Sequence, residues 1–252
     1  MTSFSEIARE NFDAVLFDLD GVLTATAKLH AAAWKQTFDK FLKRRAEERR
    51  QIFVPFDIGD DYHQYIDGKQ RFDGIRSFLE SRGIDLPCGA PTDPPTAETV
   101  YGLGNQKNEL VNEIMAREGV EAYPGSVKAV DFLKHQGYRT AVVSSSENCA
   151  AVLKAARIES LFDVRVDGKT AIDMTLAGKP DPDMFLTAAR ELGVEACRSI
   201  VVEDAIAGVQ AGKRGGFGLV IGIARTGNAE ALRKQGADFV VADLEELIPQ
   251  RS

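Results

Sequence analysis

The segment 13–24 constrains the fold more than any other stretch, because an apolar run leads directly into two acids and a glycine. Residues 14–17 are apolar and rich in strand formers, as expected for a central parallel strand covered on both faces. Asp18 and Asp20 follow at the carboxyl end of this strand, and Gly21 permits a sharp turn after them. An isolated Asp-x-Asp is equally compatible with a solvated loop or a turn cap, so the prediction depends on groups further along the chain.

A second acidic pair, together with the spacing of the first, indicates a divalent cation. Two carboxylates separated by one residue repel each other unless a cation or a proton lies between them. Glu203 and Asp204 follow another apolar run, residues 199–202, and a helix N-cap role for Asp204 is compatible with metal binding. Carboxylate oxygens are ligands that Mg²⁺ prefers in proteins. We therefore predict that Asp18, Glu203 and Asp204 hold Mg²⁺.

Composition and charge exclude several classes of protein. With 252 residues and 44% hydrophobic content, the chain can bury a large core as one domain or as a domain with an insertion. A net charge of −7 without a long basic run argues against nucleic acid as a partner. Cys88, Cys149 and Cys197 show neither zinc spacing nor an even disulfide count, which is typical of reduced thiols. No apolar stretch approaches a membrane span and residues 1–12 do not resemble a signal peptide, so we expect a cytoplasmic protein without a membrane partner.

The chain divides into two regions with different sequence patterns. Residues 24–43 predict a loop that enters a helix, and residues 42–117 continue as helix-like pieces separated by Gly and Pro. From residue 123 onwards helices and strands alternate, which predicts a parallel sheet with helices on both faces. The predicted strands are 14–17, 140–143, 162–166, 199–202, 219–223 and 239–241. The predicted helices are 126–135, 149–156, 184–192 with Asp181 as the N-cap, and 205–213.

Ser144 and Lys179 are further candidates for the edge of the sheet at which the acids lie. In open α/β sheets, ligands bind beyond the carboxyl ends of the strands. Ser144 follows strand 140–143 and precedes a helix, so its hydroxyl and the neighbouring amides can bind phosphate oxygens, although a capping serine has the same pattern. Lys179 precedes Pro180 and a helix start, which can direct its ammonium inward to neutralise the acids. A surface lysine in a turn is the alternative.

Taken in order, these motifs resemble those of the haloacid dehalogenase superfamily of phosphotransferases. The segment Phe17-Asp-Leu-Asp-Gly-Val22 resembles the first motif, Ser144 the second, Lys179 the third and the segment Val202-Glu-Asp-Ala205 the fourth. The match extends over essentially the whole chain. The resemblance implies an α/β fold, with a Rossmann-like parallel sheet core and an inserted α-helical cap domain. The core is expected at residues 1–28 and 121–252 and the cap at residues 29–120.

The resemblance also implies roles for residues of the core. Asp18 is the expected nucleophile that forms an aspartyl phosphate, and Asp20 is the expected general acid and base. Mg²⁺ is expected at a carboxylate oxygen of Asp18, the backbone carbonyl of Asp20 and the pair Glu203 and Asp204. The phosphate-binding residues that the resemblance implies are Gly21, Ser144, Ser145, Asn148 and Lys179.

The cap segments resemble the β-phosphoglucomutase-like branch of the family. Segment 23–30, followed by Trp34, is similar to the hinge of that branch, which implies that Thr26 and His30 couple cap closure to Asp20. An ordinary helix residue is the alternative for His30.

Two cations of the cap match substrate-binding positions of the same branch. Arg71, in segment 67–71, matches an arginine that binds the distal phosphate, and Lys107, in segment 106–108, matches a substrate-facing lysine. The sequence also departs from the pattern, because Ala25 stands where an acid is common and Glu147 where a basic residue is common.

The activity implied by the resemblance is Mg²⁺-dependent phosphoryl transfer on a small phosphorylated sugar. We expect a monomer that interconverts β-glucose 1-phosphate and glucose 6-phosphate through the bisphosphate. The alternative is a sugar-phosphate phosphatase, in which water resolves the phosphoenzyme. A phospho-accepting receiver domain is a rival from another class, but it needs no large insertion after the first strand. A catalytically inactive sugar-phosphate binder would not need all four motifs.

Overall fold

The chain folds into two compact units, and the computed structural model describes residues 10–225 and 227–249. One unit comprises residues 1–25 and 120–252 and is called the sheet unit here; the other comprises residues 26–119 and is called the helical unit. These bounds differ by one to three residues from the expected core and cap domains. None of the helices in the described residues combines the length and the apolar character needed to cross a membrane.

The sheet unit is built on a parallel sheet, which has six strands in the described part of the chain. The strands are β1 (Ala14–Phe17), β2 (Arg139–Val143), β3 (Val164–Val166), β4 (Ser199–Glu203), β5 (Leu219–Ile223) and β6 (Phe239–Val241). Their order across the sheet is β3-β2-β1-β4-β5-β6. Phe17 at the end of β1 therefore lies between Val142 of β2 and Val202 of β4. The predicted α/β fold with a parallel sheet is confirmed.

The helices of the described residues are α1 (Ala27–Arg49), α2 (Arg71–Ser81), α3 (Val100–Glu118), α4 (Pro124–His135), α5 (Cys149–Ala155), α6 (Gly168–Asp173), α7 (Asp183–Leu192), α8 (Ile206–Arg214) and α9 (Ala229–Gln235). The helical unit contains α1 to α3, and the other helices belong to the sheet unit. Shorter turns are the π-helical segment Tyr62–Ile66 and the 3₁₀ segments Glu159–Leu161, Ala196–Arg198 and Leu244–Leu247.

The start of α7 differs from the prediction. Asp181 is not its N-cap, because the helix begins at Asp183 and Pro182 occupies the capping position without a side-chain hydrogen bond. The Asp183 carboxylate instead accepts a hydrogen bond from the Ala177 amide at 3.1 Å. The Asp-Pro-Asp sequence offers two acids at which a helix can start, and the bond to the preceding loop favours the second.

Strand β1 is buried on both faces, and this fixes where its first acid can lie. Its four residues are 0% exposed. Ala14 and Leu16 belong to a core cluster with residues of α7 and α8. Val15 and Phe17 point to the opposite face, because side chains alternate along a strand, and the Phe17 ring contacts Phe162. A charge within such a strand would be buried without water, so the acids begin only where the strand ends.

The helical unit is held together by aromatic packing among its helices. The Phe38 ring of α1 lies 4.3 Å from the Phe78 ring of α2 and 5.0 Å from the Phe56 ring, measured between centroids. Trp34 stacks on Phe38 one helical turn away, at 5.1 Å. These rings, together with residues of α3, form a single buried cluster. The sequence predicted helix-like pieces in this region, and its described residues form helices and turns.

Candidate active site

Asp18 lies directly after β1, at the carboxyl edge of the sheet. Its amide donates to the Val202 carbonyl of β4 at 2.9 Å, so the ladder between these strands continues for one residue beyond β1. The residue is 6% exposed. The chain then turns within a few residues, because the Gly21 amide donates to the Thr24 carbonyl at 2.8 Å and Gly21 has φ +94°. Asp20 lies in this turn and is partly exposed.

Lys179 joins the first acid of the sequence to the second acidic pair. Its Nζ donates to Asp18 Oδ1 and to Glu203 Oε1, both at 2.6 Å, and to the Val143 carbonyl at 3.1 Å. These partners lie at the ends of β1, β4 and β2, which are adjacent in the sheet. The residue is 1% exposed, and its ammonium lies 4.8 Å from the centre of the Phe185 ring. The structure thus brings together three groups far apart in sequence.

The charges at this edge shift the pKa values of Lys179 and Asp18. Burial by itself lowers the pKa of Lys179, but the carboxylates of Asp18 and Glu203 outweigh it, and the pKa of this ammonium is raised. Burial raises the pKa of Asp18 well above its usual range, against the effect of Lys179, and the charges of Glu203 and Asp20 raise it further. One lysine therefore faces two carboxylates, those of Asp18 and Glu203. An additional cation or a proton beside these carboxylates would offset the negative charge that the lysine leaves.

The acidic residues fit a divalent cation. Ligand atoms of Asp18, Glu203 and Asp204 all lie within 4.8 Å of one another. Three carboxylates at this spacing form the hard oxygen donor set that Mg²⁺ prefers. A Cβ added at Gly21 would lie 1.8 Å from Asp204 Oδ2, so only a glycine allows this carboxylate to approach the turn. Asp18 and Asp204 are the stronger candidate ligands, because both carboxylate oxygens of Glu203 already accept hydrogen bonds from other groups of the protein.

Glu203 is fully buried, and both of its carboxylate oxygens are engaged. Oε1 accepts from Lys179, and Oε2 accepts from the amides of Asp204 and Ala205 at 3.0 Å each. Glu203 rather than Asp204 thus bonds the amides that precede α8, and the N-cap position of α8 is Ala205. The N-cap role considered for Asp204 is not seen. Glu203 fixes the Asp204 backbone as well as the lysine.

The loop after β2 carries the serines and Asn148. The Ser144 amide donates to the Val166 carbonyl at 3.0 Å, and Ser144 Oγ accepts from the Ser146 amide at 3.1 Å. Ser144 is 1% exposed, whereas Ser145 and Asn148 are partly exposed. Asn148 precedes α5 and makes no side-chain cap bond to it. Ser144 thus closes a turn of the loop rather than capping the helix.

Two of the predicted residues of the helical unit, His30 and Lys107, contact each other. Lys107 Nζ of α3 lies 3.0 Å from His30 Nδ1 of α1, although 77 residues separate them in sequence. The ammonium also lies 5.0 Å from the centre of the Trp34 ring, and Lys107 is 5% exposed. Thr26 is the residue before α1, is 0% exposed, and accepts from the His30 amide at 2.9 Å through its backbone carbonyl. Thr26 therefore fixes the start of the helix that carries His30.

Arg71 is the first residue of α2, and its guanidinium reaches α3. Its Nη2 donates to Asn108 Oδ1 at 3.0 Å, and its Cζ lies 5.5 Å from the centre of the Phe72 ring. A Cβ added at Gly104 would lie 2.5 Å from the Phe72 ring and 3.2 Å from Arg71 Cδ. The glycine therefore permits the close approach of α2 and α3 that brings Arg71 to Asn108. The first-turn amides of a helix and a guanidinium together favour an anion.

Two side chains near the acidic cluster were missed in the sequence. Asn228 Nδ2 donates to the Asp204 carbonyl at 3.1 Å. Arg225 Nε donates to the Gly21 carbonyl at 3.1 Å. Arg225 lies two residues beyond β5, as Asp18 lies just beyond β1 and Asp204 just beyond β4. The same strand-end argument that selected Asp18 could therefore have selected Arg225.

The chain resembles known phosphotransferases over almost its whole length. It is 50% identical over 242 residues to a β-phosphoglucomutase of Mycobacterium tuberculosis (strain CDC 1551 / Oshkosh), which covers 95% of this chain and 92% of that protein. It is 31% identical over 234 residues to a β-phosphoglucomutase of Bacillus subtilis (strain 168), with coverage of 93% and 91%. The crystal structure of a β-phosphoglucomutase from Clostridium difficile matches with a TM-score of 0.73 and 24% identity, covering 94% of this chain and 93% of that one. This structural likeness shows the fold alone.

A family model agrees with these relatives. The model described as haloacid dehalogenase-like hydrolase matches residues 12–216, which include the strand ends carrying Asp18, Ser144 and Glu203 as well as the lysine at 179. The chain therefore belongs to the haloacid dehalogenase-like hydrolase family and is an enzyme of that family.

Proposed function

We propose that this protein is a Mg²⁺-dependent β-phosphoglucomutase that interconverts β-glucose 1-phosphate and glucose 6-phosphate through the 1,6-bisphosphate. The observation that carries the proposal is the 50% identity to a β-phosphoglucomutase over 95% of the chain. The arrangement of Asp18, Lys179 and Glu203 supports it, because it provides a buried carboxylate beside a fixed cation. We also propose that the sheet unit is the catalytic core and the helical unit the substrate-binding cap.

The proposed nucleophile is the carboxylate of Asp18. One of its oxygens attacks phosphorus, the bond from phosphorus to the sugar oxygen breaks, and the electron pair remains on the sugar oxygen. Asp20 gives its proton to that oxygen as general acid. In the second half of the cycle, a hydroxyl of the bound sugar attacks the aspartyl phosphate while Asp20 takes its proton.

Lys179 is proposed to offset the negative charge of the transferring phosphoryl group. Its Nζ is bonded to Asp18, so it is already in place before phosphate arrives, and no reorganisation is needed during the reaction. Ser144, Ser145 and Asn148, together with the backbone at Gly21, are proposed to bind the phosphate oxygens. Mg²⁺ bound by Asp18, the Asp20 carbonyl, Glu203 and Asp204 would neutralise the charge that Lys179 leaves.

The second phosphate of the bisphosphate requires cations of its own in an acidic protein. Arg71 and Lys107 are proposed to bind it, and Thr26 and His30 to orient the segment that couples binding to Asp20. Asn108 Oδ1 holds the guanidinium of Arg71 and His30 Nδ1 lies beside the ammonium of Lys107, and these contacts position both cations. We further propose a cytoplasmic monomer; the free thiols of all three cysteines support a reducing compartment.

The deciding experiment compares two products from one reaction. The protein is supplied with β-glucose 1-phosphate, Mg²⁺ and a trace of β-glucose 1,6-bisphosphate, and glucose 6-phosphate and inorganic phosphate are measured together. We expect glucose 6-phosphate as the main product, abolished by the variant Asp18→Asn. The α anomer of glucose 1-phosphate serves as the specificity control. Predominant release of inorganic phosphate would reject the mutase and select the sugar-phosphate phosphatase.

A further inference from the structure

Arg225 connects the turn that follows Asp20 to two other segments of the sheet unit. Its Nε donates to the Gly21 carbonyl at 3.1 Å, and its Nη2 donates to Ser126 Oγ at 3.0 Å. Ser126 Oγ in turn donates to the Val22 carbonyl at 2.6 Å. Arg225 therefore holds the Gly21 carbonyl directly, and it holds the Val22 carbonyl both through the serine of α4 and by a longer direct bond from Nη2 at 3.4 Å.

The guanidinium itself is fixed on its other sides. Its Nη1 forms an ion pair with Asp243, whose carboxylate also accepts from the Glu245 amide at 2.9 Å at the start of the 3₁₀ segment Leu244–Leu247. The guanidinium carbon lies 3.7 Å from the centre of the Tyr123 ring, a distance that favours cation–π attraction. The side chain is 17% exposed. Arg225 is therefore pre-organised by the fold to present its donors to the turn.

The turn after Asp20 is also restrained on its opposite side. Asp204 Oδ2 occupies the space where a side chain at position 21 would begin, since a Cβ added at Gly21 would lie 1.8 Å from that oxygen. The Gly21 amide closes the turn on Thr24. The Gly21 carbonyl is the remaining polar group of this residue, and Arg225 holds it. Loss of the Arg225 bonds would allow the peptides that follow Gly21 and Val22 to rotate, and the turn that carries Asp20 would lose this restraint.

The geometry points to Arg225 as a positioning residue that fixes the turn at Gly21 and Val22, so that the Asp20 carboxyl is aligned for proton transfer to the leaving oxygen. This inference rests on the role proposed for Asp20. It extends the site to a side chain that lies beyond β5, outside the four motifs recognised in the sequence.

Proton transfer by Asp20 matters in proportion to the basicity of the leaving group. When Asp18 attacks phosphorus, the bond to the leaving oxygen breaks and that oxygen takes the electron pair. A 4-nitrophenolate is stable without a proton, whereas a phenolate or a sugar alkoxide needs the proton of Asp20 as the bond breaks. A misaligned Asp20 therefore slows transfer from phenyl phosphate more than from 4-nitrophenyl phosphate. A general loss of structure slows both equally.

The test measures single-turnover release of phenol and 4-nitrophenol with Mg²⁺ in wild type and Arg225→Met. We expect the rate with phenyl phosphate to fall about 30-fold and the rate with 4-nitrophenyl phosphate less than about threefold. Ser126→Ala should change the ratio of the two rates in the same direction by a smaller factor, and Arg225→Lys should restore part of it. If Arg225→Met folds poorly, Ser126→Ala and Arg225→Lys still test the inference, because each makes a smaller change to the fold.

The matched control is Arg198→Met. Arg198 also forms an ion pair and donates to a backbone carbonyl, but its partners are Asp13 and Glu10, before the start of β1. We expect this variant to leave the ratio of the two rates at its wild-type value. An unchanged ratio in the Arg225 and Ser126 variants, or an equal change in the control, would overturn the inference. Because both probes are simple aryl phosphates, the result does not depend on whether the natural substrate is a glucose phosphate. The proposed mutase function fails separately, if the wild-type protein forms no glucose 6-phosphate.

Discussion

Lys179 of the sheet unit and Lys107 of the helical unit are both buried lysines, and the partners described for them differ in kind. Lys179 Nζ lies 2.6 Å from two carboxylate oxygens, those of Asp18 and Glu203. Lys107 Nζ lies 3.0 Å from His30 and faces the ring of Trp34. The first lysine is neutralised by acids of the chain itself, which suits a permanent part of the catalytic apparatus. An imidazole and an aromatic ring, the described partners of the second, orient its ammonium, and we expect this lysine to bind a phosphate of the substrate.

The two regions also differ in how their residues are brought together. In the sheet unit, Asp18 and Glu203 lie together because adjacent parallel strands end at one edge. In the helical unit, Arg71 meets Asn108 because two helices pack closely at Gly104. The backbone of adjacent strands fixes the positions of the acids in the sheet unit, whereas side-chain packing between helices fixes the positions of Arg71 and Asn108. We expect substitutions in the first region to affect all phosphoryl transfer and those in the second to affect particular substrates.

The substitution Lys179→Met should have the largest effect. It leaves Asp18 and Glu203 buried without their cation, so we expect kcat with 4-nitrophenyl phosphate to fall about 10³-fold and the free energy of unfolding to fall by about 3–5 kcal/mol. Kinetics and urea unfolding measure the two effects. The control is Lys213→Met, which removes a largely exposed pair with Asp238 and should cost less than about 1 kcal/mol. Equal effects of the two variants would show that the buried charges are not coupled as described.

The next largest effect should come from Arg71→Ala and should depend on the substrate. We expect glucose 6-phosphate formation to fall about 100-fold, because the second phosphate loses its guanidinium, while hydrolysis of 4-nitrophenyl phosphate changes less than about twofold. Arg76→Ala on the same helix is the control, since Arg76 pairs with Asp73 and both are 50% exposed. Parallel losses on both substrates would contradict the assignment of separate tasks to the two regions.

A smaller effect is expected from Gly21→Ala, which tests the fit between the turn and Asp204. The added Cβ would meet Asp204 Oδ2 at 1.8 Å, so we expect activity to fall about tenfold and the Mg²⁺ concentration for half-maximal activity to rise. Gly216→Ala separates this contact from backbone strain, because Gly216 has φ +68° and no atom within 4 Å of the added Cβ. If the control variant needs as much Mg²⁺ as Gly21→Ala, the contact with Asp204 has no role in metal binding.

The smallest effect concerns His63 of the helical unit and depends on pH. The hydrogen bond that the protonated His63 ring donates to the Asp67 carboxylate raises the pKa of His63, against the lowering effect of burial. A group whose pKa is raised on folding stabilises the folded state fully below its unfolded pKa of about 6.5, and this contribution is lost as the pH rises through the folded pKa. The pair is partly exposed, so we expect His63→Gln to cost about 0.5 kcal/mol at pH 5.5 and almost nothing at pH 8.5. Urea unfolding at the two pH values measures the difference, and an equal cost at both would contradict it.

The sequence predicted most of the sheet unit because its signals are local. The runs 14–17, 219–223 and 239–241 are short and rich in apolar strand formers, and they form β1, β5 and β6 with the predicted bounds. Asp18 after β1 and Glu203 at the end of β4 were identifiable because each is the first charged residue after an apolar run. The start of α7 was misplaced because Asp181 and Asp183 both resemble caps. Helix α6 was not predicted, and its six residues are too few for a clear helical period.

The rest of the site could not be predicted because it depends on packing between distant segments. The bond from Arg225 to the Gly21 carbonyl joins residues 204 positions apart. The contact of Lys107 with His30 depends on which faces of α1 and α3 meet, and apolar periodicity does not specify the angle between two helices. The roles of Arg71, Lys107, Thr26 and His30 toward substrate remain predictions from the family resemblance. The experiments with Arg71→Ala address them directly.

The central claim is that Asp18 becomes covalently phosphorylated while Lys179 offsets the charge. The most direct measurement is acid quenching of the protein milliseconds after mixing with β-glucose 1,6-bisphosphate and Mg²⁺, followed by mass spectrometry of its peptides. We predict one added phosphoryl group on the peptide containing Asp18, labile to hydroxylamine and absent in Asp18→Asn. A phosphoryl group on another residue, or full turnover by Asp18→Asn, would contradict the account.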